Sequence, residues 1–231
     1  LCPKYLPEFY NSLCTVQVME ITDPISDVKD FTPKRETRIS PKPHDLDFDE
    51  KRRTIIGDAQ TTIEIARHIY DWLCDNIQYD TTKSIHDADT CWRTKKGVCQ
   101  AYCNLFCHIA GDRLNVEIIV GKCKTIEGDI SDTSHAWLYV YTDGYNGIFI
   151  DPTWGAGGIS DGRFVQGINR DIWFDVDPAW IIFSHYPKDN KWKMLDYDIS
   201  EEQFKQLPLL FPDSNKKALD ELSYHLSRAK P

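Results

Sequence analysis

Positive charge is in short supply in this chain. Its 27 Lys and Arg against 36 Asp and Glu leave a formal net charge of −9. That balance argues against nucleic acid or an anionic membrane surface as the main partner. Long apolar runs are missing too. No stretch approaches the roughly 20 residues of a membrane span, so a soluble chain with no integral membrane segment is expected. No secretory leader is visible, which leaves the compartment open between cytoplasmic and, if a signal was removed, secreted or periplasmic. Nothing repeats. The eight cysteines contain no Cys-x-x-Cys. Cys99, Cys103 and Cys107 step by four, which does not suit common zinc spacing. Glu127, Asp129 and Asp132 fall in a polar loop without an EF-hand pattern. No metal or other cofactor is therefore expected. Cys2 and Cys14 could pair if the compartment is oxidising.

What is there fits one sizeable core plus an extension. Residues 1–54 read as an N-terminal extension or arm, because Pro33, Pro41 and Pro43 break any regular element. Residues 55–212 read as the main domain and 213–231 as a C-terminal helix. Apolar residues at Ile63, Ala66, Ile69, Tyr70, Leu73 and Ile77 predict a helix over 56–77, with Asp58 as its N-cap. Residues 81–94 read as a loop that carries Trp92. Strands are expected over 116–124 and 134–141, the latter from its alternation. A hairpin turn at 143–147 leads to a return strand at 147–151, which Pro152 stops by lacking an N–H. Residues 154–158 read as a flexible turn, 163–165 and 171–176 as short strands. Residues 180–183 either complete the sheet or cover it. Ser200 with Gln203 three residues later is a capping-box signature.

The chemistry concentrates at three positions. Gly97-Val98-Cys99 precedes an apolar stretch with helical spacing, so Cys99 opens a helix. A thiol there meets unpaired backbone N–H groups and the positive end of the macrodipole, which favour the nucleophilic thiolate. The alternative is a buried structural cysteine. His135 lies near the start of one predicted strand and Asp151 at the end of the next. In an antiparallel hairpin those ends lie side by side, so a nucleophile, a base and an orienting carboxylate can meet.

Gly97-Val98-Cys99-Gln100-Ala101-Tyr102, Ser134-His135-Ala136-Trp137 and Asp151-Pro152-Thr153-Trp154-Gly155 together resemble the three motifs of the transglutaminase-like superfamily. Phe183-Ser184-His185-Tyr186-Pro187 with Trp192-Lys193-Met194-Leu195 resembles its bacterial and kyphoscoliosis-peptidase-like branch. The resemblance covers roughly residues 60–212 and includes Tyr79-Asp80. It implies an α+β fold of the papain-like, transglutaminase-core kind, with helices packed on an antiparallel sheet. It also implies Cys99 as nucleophile, His135 as general base and acid, and Asp151 as the orienting acid. The oxyanion needs donors: the Cys99 backbone N–H, plus a side chain from Gln78, Tyr79 or Trp92. Trp92 itself reads more readily as a core anchor than as a wall of the cleft.

The expected reaction is acyl transfer on a peptide or amide bond through a thioester, with a protein or peptide as substrate. Hydrolysis as a peptidase or amidase is the main reading. Protein-glutamine transglutamination and a non-catalytic binding or scaffold module on the same fold are the alternatives. Oligomeric state is not legible.

Overall fold

The first strong apolar stripe becomes a helix only from Thr62. The computed structural model describes residues 46–209, apart from 126, 144–146, 168–169 and 197. Residues 1–45 of the arm expected over 1–54 and the helix expected over 213–231 lie outside the described residues, while the rest of that arm is helical. Helix α1, Leu46–Ile56, is followed by Gly57 at φ 59, and helix α2, Thr62–Asn76, starts afresh. Thr61, not Asp58, is the N-cap of α2. Its side chain accepts from Glu64 N while Glu64 reaches back to the Thr61 N–H. That capping box satisfies two otherwise unpaired donors reciprocally, which a lone Asp58 cannot do. Ile65, Ala66, Ile69, Tyr70, Leu73 and Cys74 form the buried face of α2. Helix α1 crosses position 54 and is tied to the core by Arg52, which donates to the carbonyls of Ile109 (2.7 Å) and Ala110 (2.9 Å).

Strand β1 (Gln78–Tyr79) pairs in parallel with β2 (Lys96–Gly97), enclosing helix α3 (Ala88–Thr94), where a loop was expected. Asp87 caps α3 by accepting from Thr90 N. Helix α4, Cys99–Ala110, follows at once, with eight of its 12 residues buried. The main sheet has five strands: β3 (Val116–Lys124), β4 (Ile130–Val140), β5 (Ile148–Ile150), β8 (Phe174–Val176) and β9 (His185–Pro187). Their order is β8-β5-β4-β3-β9, and all four pairings are antiparallel. Both faces of β4 are covered: Ala136 to Val140 are each 6 % exposed or less. Between β5 and β8 lie helix α5 (Pro152–Ala156) and a hairpin of β6 (Gly157–Ser160) and β7 (Arg163–Gln166). The turn expected at 154–158 is thus the end of α5 and the start of β6. Gly155 is obligatory there, because a Cβ would lie 1.9 Å from the Tyr70 hydroxyl.

Residues 180–183 are not a strand. Asp177 caps helix α6 (Pro178–Ile181), with Pro178 at its first position, where a missing N–H costs nothing. The sheet is completed instead by β9. Helix α7 (Glu201–Gln206) carries the expected capping box from Ser200 and Gln203.

The loop between β1 and α3 is built on one carboxylate. Asp80 is 4 % exposed. It accepts from the N–H and hydroxyl of Thr82 and of Ser84 and from the N–H of Ile85, at 2.6 to 3.0 Å. Ile85 then accepts from Val98 N at 3.0 Å, and His86 O accepts from the Asn104 amide. The loop thus grips the first residues of α4. Burial pushes the Asp80 carboxyl up, but the hydrogen bonds outweigh it and hold the pKa at about 2, below the ordinary 3.8. A depressed folded pKa contributes stability above the unfolded value, and that stability is lost as pH falls from about 4 towards 2. Asp80→Ala should cost about 2 to 4 kcal/mol at neutral pH, through the donors it strands. A urea titration reads this as a lower midpoint at neutral pH, with the gap to wild type narrowing near pH 3. Equal midpoints at neutral pH would contradict this account of the loop.

Candidate active site

Cys99 is the first residue of α4 and is 1 % exposed. Its helix differs at the start from the five other α-helices whose N-caps are described. Thr61, Asp87, Asp151, Asp177 and Ser200 each cap a helix with a side-chain oxygen, while Val98 offers none to α4. The first backbone N–H groups of α4 therefore keep their hydrogen-bonding capacity at the cysteine.

His135 lies within β4, opposite Gly121 of β3, and is fully buried. Asp151 follows β5 and is fully buried as well. Leu138 pairs with Ile150, so the chain leaving β5 runs back along β4 towards His135. His135 Nε2 lies 2.7 Å from Asp151 Oδ2. Burial by itself would depress the imidazole. The Asp151 charge and hydrogen bond outweigh it, the Cys99 side chain adds to them, and the pKa of His135 stands well above its ordinary value. Because Nε2 is engaged by Asp151, Nδ1 is the ring atom left for the thiol side, and it makes no other hydrogen bond among the described residues.

Hydrogen bonds at both carboxylate oxygens and at its own N–H hold Asp151. Oδ1 accepts from Thr153 N (2.9 Å) and Trp154 N (3.0 Å), so the same carboxylate caps α5. Its own N–H donates to Trp173 O at 2.9 Å. Oδ2 accepts from His135 and from a second imidazole, His185 Nε2, at 3.0 Å. Burial pushes this carboxyl up, but the two histidines overcome that and keep it ionised, well below the usual carboxylate range.

His185 is the residue to which sequence reasoning gave no role. It is fully buried on β9, the edge strand, opposite Cys123 of β3. The rings of His135, Trp137, Trp154 and Trp173 surround it, with centroids 4.6 to 5.5 Å away. Gly121 makes room in the intervening strand. A Cβ there would lie 2.7 Å from the Trp137 ring and 2.1 Å from Tyr186 O. The Phe183-Ser184-His185 motif was the available signal, but nothing local ties residue 185 to residue 151.

Ligand atoms of His135, Asp151 and His185 lie within 4.8 Å of one another, a set whose donor types a divalent cation could accept. Here both Nε2 atoms converge on the same carboxylate oxygen as N–H donors. The three side chains thus satisfy each other.

The remaining candidates fall in two places. Gln78 and Tyr79 form β1, in register with Lys96 and Gly97, directly beside the chain that enters Cys99. Trp92 lies elsewhere. It stacks on Trp72 at 5.1 Å, meets Phe48 edge-on, and has the Lys95 ammonium 3.9 Å above its ring. It lines a cavity of about 540 Å³ with Lys51, His68, Asp71, Trp72 and Lys95, and none of Cys99, His135 or Asp151 borders that space.

A cysteine thus opens a buried helix beside a buried imidazole–carboxylate pair on an antiparallel sheet, an α+β arrangement. Residues 50–152 match the family model of the Transglutaminase-like superfamily. Kyphoscoliosis peptidase of Homo sapiens is 28% identical over 173 residues, covering 68% of this chain and 26% of that protein. Lim and transglutaminase domain protein ltd-1 of Caenorhabditis elegans is 26% identical over 193 residues, covering 71% of this chain and 25% of that protein. A crystal structure of a TGase superposes with a TM-score of 0.38 at 16% identity, over 71% of this chain and 40% of the other. The chain spans about a quarter of the length of the curated relatives it matches. Among the described residues, no helix is long and apolar enough to cross a membrane.

Proposed function

We propose that this chain is a cysteine-dependent acyl-transfer enzyme acting on peptide or amide bonds, with hydrolysis as its reaction. The observation that carries the reading is the buried 2.7 Å contact of His135 with Asp151 beside Cys99 at the start of α4. Cys99 attacks the amide carbonyl while His135 Nδ1 takes the thiol proton. The C–N bond breaks as the imidazolium returns that proton to the leaving amine, leaving a thioester. Water then attacks the thioester, His135 accepts its proton, and the acid and the free thiol are released. Asp151 keeps the proton on Nε2, so Nδ1 faces the thiol as a base. The uncapped N–H groups of α4 are placed to stabilise the tetrahedral oxyanion, and the β1 residues Gln78 and Tyr79 supply the second donor in this reading.

Transamidation shares every step up to the thioester and differs in what attacks it. Burial of Cys99, His135 and Asp151, all at 1 % or less, favours that second reading to the extent that it excludes bulk water. A scaffold role gives no use to an uncapped helix start at a cysteine beside a buried imidazole–carboxylate pair. Incubating the protein with a glutamine-containing peptide library and an isotopically labelled amine separates the readings. Products shortened or deamidated without the label support hydrolysis, and label incorporation supports transamidation. A library left intact by wild type across pH and amine would refute both.

A further inference from the structure

We propose that His185 is a positioning residue of this site: its Nε2–H fixes Asp151 Oδ2 for His135, and Ser184 sets the tautomer that makes this possible. The inference rests on the reading of Cys99 and His135 given above and extends it to a residue on another strand.

A carboxylate oxygen can only accept, so each histidine that meets Asp151 Oδ2 must carry its proton on Nε2. For His135 that is the tautomer the reaction requires. For His185 it has a consequence at the other nitrogen. Ser184 Oγ lies 2.7 Å from His185 Nδ1 and 3.2 Å from Ile181 O. With the proton on Nε2 of a neutral ring, Nδ1 is an acceptor, and the Ser184 hydroxyl donates to it. The chain of donors then runs in one direction, from Ser184 through His185 to Asp151.

The charges that bear on His185 decide its state. Burial is the largest effect and lowers its pKa; Asp151 opposes it by hydrogen bond and charge, and His135 adds to the lowering, so the pKa lies at about 4. Cys123, across from it on β3, is a thiol that burial holds up at about 11. The indole rings of Trp137, Trp154 and Trp173, which carry no charge, also pack against it. One carboxylate oxygen thus faces two Nε2–H donors, His135, which gains a charge when it takes the thiol proton, and His185, which burial keeps neutral. The neutral ring can lock the carboxylate without competing for its charge. Without it, Oδ2 would rest on His135 alone and Asp151 would bind a proton more readily, withdrawing support from the imidazolium.

The pH dependence of Cys99 alkylation by iodoacetamide, followed by mass spectrometry of the digested protein, reads this without a substrate. In His185→Leu the acid edge of labelling should move up by about one pH unit, a roughly tenfold slower reaction on the acid side. His185→Gln can place an amide N–H near the lost Nε2–H and should bring the edge back towards wild type. A role limited to packing would lower thermal stability and leave the edge where it was. Should His185→Leu fail to fold, Ser184→Ala keeps the ring but removes the donor to Nδ1, and its edge should move in the same direction. An edge coincident with wild type in the folded variants overturns the proposal. If wild-type labelling ignores His135→Ala, the reading of Cys99 itself has failed, which is a separate result.

Discussion

Cys99→Ala is expected to abolish turnover, and Asp151→Asn to lower it by a factor of about 10 to 1,000 with the fold retained. The first change removes the atom that forms the thioester. The second keeps the shape of the side chain and inverts the polarity of one of its atoms. The amide that replaces the carboxylate can still accept from Thr153 N and Trp154 N through its oxygen, as Asp151 Oδ1 does now. Its NH₂ group then stands where Oδ2 accepts from two imidazoles. Two donors cannot face an N–H group, so His135 is driven to carry its proton on Nδ1. In that tautomer it offers the thiol a donor in place of a base. Loss of charge also removes the main support of the imidazolium, which burial alone would depress. Initial rates on the best substrate from a peptide library, with circular dichroism as a control for folding, measure both variants. Turnover of Asp151→Asn equal to wild type, in a folded protein, would remove Asp151 from the mechanism.

The parts of this site that local pattern specifies were legible in the sequence. Cys99 opens an apolar stretch at helical spacing directly after Gly97, and α4 begins there. The alternation through Ala136, Leu138 and Val140 and the turn residues after Thr142 announce β4 and β5, whose register brings His135 and Asp151 together. The capping box at Ser200 is a four-residue signal and needs no tertiary information.

Other signals were present but competed with stronger ones. Thr61-x-x-Glu64 is a capping box as clear as that of Ser200, yet the continuous apolar stripe from Ile56 drew the expected helix start back to Asp58. Gly57 in the left-handed region separates α1 from α2. Asp177-Pro178 is likewise a cap followed by a first-turn proline, and it overrides the β-like run of Trp180 to Phe183.

What the sequence could not carry depends on distant partners. Asp80 looks like one more acid in a polar loop until its five donors are seen. His185 meets Asp151 from 34 positions away, and only the pairing of β9 with β3 brings it there. Trp92 shows the reverse. Its place seven residues before Cys99 made it a cleft candidate beside the preferred reading as an anchor, and α3 turns it towards Trp72 and Lys95, as an anchor would be.

The central claim is that Cys99 is activated by His135, and the cysteines of the chain provide the controls. Burial pushes the thiols of Cys74, Cys91 and Cys107 up to about 12 and that of Cys123 to about 11, and it holds that of Cys103 well above its ordinary value. Near pH 6 these hold almost no thiolate. Cys99 is also buried, at 1 % exposure, so its reaction must follow opening of the site. Removing the imidazole can only widen that access, and a slower reaction in His135→Ala therefore reports lost activation. The most direct measurement is limited iodoacetamide labelling at about pH 6 of wild type and His135→Ala, with each cysteine quantified by mass spectrometry of the digest. The account predicts that Cys99 is modified first in wild type and that His135→Ala slows this strongly while the other cysteines are unchanged. Labelling of Cys99 no faster than that of the control cysteines, or equally fast in His135→Ala, would contradict it.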